Sequence, residues 1–150
     1  MTAKELMKQC EAEEKELKFR EFSSETALAI GMALIEEAKK RDNKICIDIA
    51  IAGRRLFHYS SDGNAVSNDI MIERKKKTAM HTGHSSLWAH YMLEDCGMNI
   101  KEKWALEPSE YAQVGGAFPI RLENCQTVIG TITCLSLIHI SEPTRRSYIS

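Results

Sequence analysis

Residues 3 to 19 are rich in charge with only a weak apolar period, which predicts an exposed or partner-packed first helix. Ser23 or Ser24 stands where a hydroxyl caps a second helix, and Glu25 falls in its first turn, where a carboxylate suits the helix dipole. Ala27, Ile30, Gly31, Leu34 and Ala38 then recur at helical spacing, and the polar stretch Lys39 to Asn43 ends the element. From Ile45 to Ala52 (ICIDIAIA) the period changes to two and predicts a strand, with Asp48 as its polar exception. Gly53 begins a turn, and Arg55 to Tyr59 returns as the second arm of a hairpin.

Ser60 to Ser67 reads as loop, and Asp69 to Met80 as a helix carrying Arg74, Lys75, Lys76 and Lys77. Gly83 breaks that helix, and Ser85 to Asp95 restarts as a short amphipathic one. Asn99 to Glu107 shows no decisive period, and Pro108 can open a helical turn through Tyr111. Gly115-Gly116 leads into AFPIRL, a turn follows at Glu123 to Gln126, and TVIGTITC is the last strand. The expected class is α/β of the α+β kind, with a central antiparallel sheet and helices packed on it.

The tail has a different pattern. Leu135 to Arg145 (LSLIHISEPTR) matches, residue for residue, one reading frame of a transposase-type sequencing adapter. Residues 135–150 are therefore expected to be an adapter-derived, non-native tail. Residues 1–134 are then a single domain, truncated inside its last strand.

Composition narrows the class without naming a function. The 150 residues suffice for one domain, and 20 Lys and Arg against 21 Asp and Glu leave a net charge of −1. That balance argues against a dedicated nucleic-acid binder and against a polybasic membrane anchor. No apolar run is long enough to span a bilayer, and the acidic N-terminus is unlike a signal peptide, so a cytoplasmic protein is expected. Cys10, Cys46, Cys96, Cys125 and Cys134 form no CxxC pair and are expected to be reduced and structural.

The densest chemistry lies between Glu73 and Ser86. At helical spacing Arg74, Lys77 and His81 share a face, while Lys75 and Lys76 point elsewhere. Such a face can hold a carboxylate or phosphate, with backbone N–H groups from Gly83 to Ser86 at the next helix start. The alternative is a solvated basic face followed by a helix that Ser85 caps. His81 and His84 form HxxH, but Gly83 interrupts the helix that would fix their geometry, and no metal site is expected there. An axial haem ligand requires one imidazole, which leaves His58, His81, His84 and His90 open, with His139 assigned to the adapter. Asp48 could be a buried acid/base group, although a polar residue in such a strand more often faces the wet side of a half-covered sheet. Gly115-Gly116 suggests close backbone approach and is no dinucleotide fingerprint.

These segments together resemble the GlcG/HbpS-like superfamily of haem-degrading-domain proteins, in its small uncharacterised branch. The residues that carry the resemblance are Ser67 to Ala79 (SNDIMIERKKKTA), Gly83-His84-Ser85-Ser86, Glu110-Tyr111-Ala112, Gly115 to Ile120 and Val128 to Thr133. The resemblance covers about Phe22 to Thr133. It implies an antiparallel sheet with helices on one side and homo-oligomers built from dimers. Some relatives bind haem, and the site expected here for haem or a small anionic ligand comprises Arg74, Lys77, His81, His84, Ser85, Ser86, Gly115 and Gly116. Met71 stands where the family usually has an aromatic, and the family's closing SGLP segment and C-terminal helix are replaced by the tail. A eukaryotic relative is associated with tail-anchored-protein targeting, so a non-enzymatic homo-oligomeric adaptor is the alternative function. Sequencing the source DNA across the Cys134 codon without adapter ligation is expected to read into an SGLP-like segment; recovering LSLIHISEPTR would reject the artefact.

Overall fold

The computed structural model describes residues 1–136. Its elements are α1 (Ala3–Glu16), α2 (Ser24–Lys40), β1 (Ile45–Ile51), β2 (Arg54–Ser60), α3 (Val66–Thr82), α4 (Ser86–Cys96), α5 (Ile100–Trp104), β3 (Ala117–Ile120) and β4 (Gly130–Ser136). The strands form one antiparallel sheet in the order β2-β1-β4-β3, as the mixed α/β class requires.

β1 organises the packing because its period of two is buried on both faces. Ile45, Ile47 and Ile49 pack against Ala27, Leu34, Ile35 and Ala38 of α2. Residues paired across antiparallel strands share a face, so Phe57, Tyr59, Ile132 and Cys134 join this layer. Cys46, Asp48 and Ala50 point the other way, beneath α3, whose Asp69 and Lys76 reach Cys46 and Asp48. The expectation of helices on one side is thus corrected: α2 covers one face of the sheet and α3 the other. A strand covered twice reads as a nearly continuous apolar run, which is what ICIDIAIA is.

Local chemistry explains the boundaries. Ser23 and Ser85 cap α2 and α4, accepting from the backbone N–H groups of Thr26 and Trp88. Gly83 and Gly97 end α3 and α4 in the left-handed conformation. The hairpin turn is Ala52-Gly53, with φ of 51° and 81° respectively, a pair that matches the twist of the flanking strands. α3 starts at Val66, three residues before the expected Asp69, because Asn68 Oδ1 accepts from Ala65 N–H at 2.7 Å and opens the helix early. The undecided stretch after Met98 contains α5, secured by a reciprocal cap between Asn99 and Glu102.

β4 begins at Gly130 and places Leu135 opposite Cys46 and Ser136 opposite Ile45. It therefore takes in the first two residues assigned to the adapter, and the rest of that tail lies outside the described residues. α1 packs on α4, with Met7 and Cys10 against Trp88 and Ala89, which is the partner-packed alternative for the first helix. Among the described residues, which include all five cysteines, there is no disulfide. Among the described residues no helix is long and apolar enough to cross a membrane.

Gly31 is where α2 meets the Phe57 ring, and a Cβ there would collide with ring carbons. Gly31→Val is expected to destabilise the fold by about 1–3 kcal/mol, as overpacking does. Urea unfolding of Gly31→Val with and without Phe57→Leu checks this: the second change should recover part of the loss.

Candidate functional site

Asp48 has no solvent exposure, so the wet-face expectation is corrected: the sheet has no wet face at this point. A buried carboxylate must be paired, and two cations meet this one. Arg55 Nε lies 2.7 Å from Oδ2 and Lys76 Nζ lies 2.9 Å from Oδ1. Glu73 joins them, at 3.1 Å from Arg55 and 3.2 Å from Lys76.

The predicted shared face of α3 exists and is turned toward residues 108–111. Arg74 Nη2 donates to the carbonyl oxygens of Pro108 at 2.6 Å and Tyr111 at 3.5 Å. Lys77 lies 3.4 Å from Glu110, and the His81 ring meets Tyr111 edge-on at 6.0 Å. Lys75 is buried. Ser86 and Gly116 hold β3 in place. Ser86 Oγ accepts from Ala117 N–H at 3.0 Å, and Gly116 has φ of 137°, where a Cβ would lie 2.6 Å from the Cys134 carbonyl oxygen. Gly115 lies in the bend just before. His90 Nδ1 contacts the Gln113 carbonyl at 3.2 Å.

His84 and Ser85 belong to another cluster, centred on Glu14 of α1. Glu14 is buried, with Oε1 2.8 Å from His84 Nδ1 and Oε2 accepting from Ser85 N–H at 3.1 Å. Arg121 Nη1 lies 3.5 Å from the same carboxylate, and its Nη2 donates to the Gly83 carbonyl. The His84 ring stacks on Trp88 with centroids 3.9 Å apart and planes 18° off parallel. Beside this cluster opens a cavity of about 530 Å³, rimmed by Lys8, Lys15 and Lys18 and lined by Glu14, His84 and Arg121. Of the eight predicted ligand-binding residues, His84 is the one that lines it. The structure therefore divides those eight among the 108–111 contact, the β3 support and the cavity.

Glu14 and Arg121 were not singled out from sequence. Glu14 is one of several acids in a charged helix, and nothing in the chain near it marks it as buried.

A family model described as "Haem degrading protein HbpS-like" matches residues 22–137. The chain belongs to the HbpS-like family. A UPF0303 protein of Edwardsiella ictaluri is 34% identical over 128 residues, covering 85% of this chain and 82% of that protein. A UPF0303 protein of Streptomyces coelicolor is 33% identical over 132 residues, covering 88% and 83%. Among solved structures, the Ybr137w protein has a TM-score of 0.82 at 28% identity, covering 95% of this chain and 80% of that one. A PduOC–haem complex shares the fold, with a TM-score of 0.63 at 14% identity over 85% of this chain and 88% of that one.

In this HbpS-like chain the thiols in the sheet are poor nucleophiles. Burial, then the neighbouring Asp69 carboxylate, pushes Cys46 from the ordinary 9.0 up to about 12. The imidazole of His84 is different in kind, because it is held by a buried carboxylate and borders open space. Glu14→Ala would strip His84, Arg121 and Ser85 N–H of their shared acceptor, and is expected to cost about 3–5 kcal/mol. Glu14→Gln keeps an acceptor oxygen and should lose less, while the exposed Glu16→Ala should stay within about 0.5 kcal/mol. Urea denaturation of the three variants measures the order.

Proposed function

We propose that this chain is a haem-binding domain whose site is the cavity beside α1, with His84 as the residue that would hold the iron. The observation that carries this reading is the buried Glu14 carboxylate at 2.8 Å from His84 Nδ1, on the wall of a cavity of about 530 Å³. Metal-ligating histidines commonly direct their second nitrogen to a carboxylate, which fixes the ring and leaves the other nitrogen for the metal. Here Nδ1 is engaged and Nε2 is the ligand atom. Stacking on Trp88 sets the plane of the ring.

The cavity walls carry more cations than carboxylates: Lys8, Lys15, Lys18 and Arg121 against Glu11 and Glu14. Lys8, Lys15 and Lys18 offer ammonium groups to the haem carboxylates, and their alkyl stems can lie along an apolar ring edge. The same cations suit other small anionic ligands. The family description and the haem complex of the PduOC neighbour support haem as the first ligand to test. Bound haem supplies an iron centre whose reactivity its axial ligand and surroundings set. The chain's part is to bind and orient it. The anionic site moves from the predicted basic face to α1, since Arg74 and Lys77 are engaged with residues 108–111.

The second reading, a homo-oligomeric adaptor, draws on apolar side chains left in solvent. Leu28 and Met32 lie one turn apart on α2, 47% and 50% exposed, and Val66 and Ile70 repeat the spacing on α3.

Haemin titration distinguishes the two. The haem reading expects a Soret shift that His84→Ala abolishes. The double variant Lys15→Ala, Lys18→Ala should weaken binding about tenfold, or about 1.4 kcal/mol, and Lys103→Ala should leave it within about twofold. Absence of a Soret shift, together with an oligomer by light scattering that Leu28→Asp dissociates, would favour the adaptor.

A further inference from the structure

On the α3 side of the sheet, three groups that the haem reading does not use converge on one point. Cys46 comes from β1, His58 from β2 and Asp69 from the first turn of α3. Asp48 pairs with His58 and Cys46 with Ser60, so Cys46 and His58 are diagonal neighbours on one face of the hairpin. Asp69 Oδ1 is 3.2 Å from Cys46 Sγ and 3.6 Å from His58 Nε2. The three donor atoms all lie within 4.8 Å of one another.

We propose that Cys46, His58 and Asp69 form a binding site for a divalent transition-metal ion of the zinc type. Tetrahedral bonds of about 2.0–2.3 Å put neighbouring donors about 3.3–3.8 Å apart. The 3.6 Å between Asp69 and His58 already suits an ion, and the 3.2 Å between Asp69 and Cys46 has to open by a few tenths of an ångström. Sulfur, imidazole nitrogen and carboxylate together select zinc-like metals over calcium or magnesium, which take oxygen ligands.

The surroundings orient the ligands. His58 Nδ1 lies 3.8 Å from Oδ2 of the buried Asp48, which directs Nε2 toward Asp69 and Cys46. Arg55 and Lys76 are drawn to Asp48 and Glu73, which occupy these neighbouring cations. On binding, the Cys46 thiol releases its proton to solvent, and the metal replaces that proton between Sγ and Asp69 Oδ1. Asp69 is half exposed, with 49% of its side chain accessible, so the fourth position opens to water or a small ligand. Three protein ligands with one open position is the arrangement of a reactive or exchangeable site rather than a closed structural one.

The test uses the full chain, stripped with a chelator and titrated with Co²⁺ and then Zn²⁺. One equivalent of Co²⁺ should produce a thiolate-to-metal charge-transfer band, and Zn²⁺ should bleach it. Cys46→Ser should remove the band and weaken Zn²⁺ binding at least about tenfold, and His58→Gln should keep the band while weakening affinity similarly. The exposed Cys96→Ser should change neither. Failure of the wild type to bind one equivalent, a band that survives Cys46→Ser, or loss of the band in Cys96→Ser would overturn the site. If Cys46→Ser does not fold, His58→Gln and Asp69→Asn decide, because both side chains are partly exposed; unchanged Zn²⁺ affinity in both would overturn it equally.

Discussion

The fold depends on the pairing of one buried carboxylate. Asp48 lies in the middle of the central strand with no access to solvent, and an unpaired carboxylate there would cost several kcal/mol. Arg55 arrives from β2 through the hairpin, and Lys76 arrives from α3 across the sheet. These two contacts hold α3 over a face that would otherwise be wet. They also account for much of the basic run Arg74 to Lys77, whose first three members turn toward protein: Arg74 to two carbonyls, Lys75 into the interior and Lys76 to Asp48.

Glu14 plays the corresponding role where α1 meets α4. It draws together the start of α4 through Ser85, the His84 ring and the Arg121 guanidinium, and so fixes α1 against the corner where α3 ends at Gly83. Arg121 closes the corner by donating to the Gly83 carbonyl. The cavity beside His84 is a consequence, because α1 is held at that corner by a polar contact and by its apolar seam with Trp88 and Ala89. Two buried carboxylates thus help to place α3 and α1.

What could be read in the sequence follows from which interactions are local. The hairpin, α2 and α4 were legible because their periods, caps and glycines lie within the elements themselves. The early start of α3 was not, since Asn68 acts from inside the first turn on a residue before it. The burial of Asp48 was hidden for a different reason: a strand covered on both faces and a strand covered on one differ only in what lies above the polar position. Glu14 and Arg121 meet across most of the chain, and no spacing rule connects them. His84 was named, but as one of four equivalent imidazoles; the Glu14 contact is what separates it from the others. Ser86 and Gly116, named for a ligand, also secure the edge strand β3.

Energetics favour the α1 cavity over the basic face of α3 as the place for an anion. To bind a ligand through Nη2, Arg74 would have to leave the carbonyl oxygens of Pro108 and Tyr111. A polar group left unsatisfied in a partly buried site costs about 1–3 kcal/mol, which offsets most of the 1.5–3 kcal/mol, roughly, that a new charged hydrogen bond contributes. Lys77 faces the same exchange against Glu110 at a more exposed position, where the pair itself is worth little. The lysines of α1 stand exposed at the cavity rim, so ligand carboxylates there displace water rather than protein. Their attraction is screened by salt, but an imidazole already fixed by Glu14 adds a directional bond that salt does not weaken in the same way. An anionic ligand that also carries a metal would therefore gain most at His84, where both kinds of interaction meet.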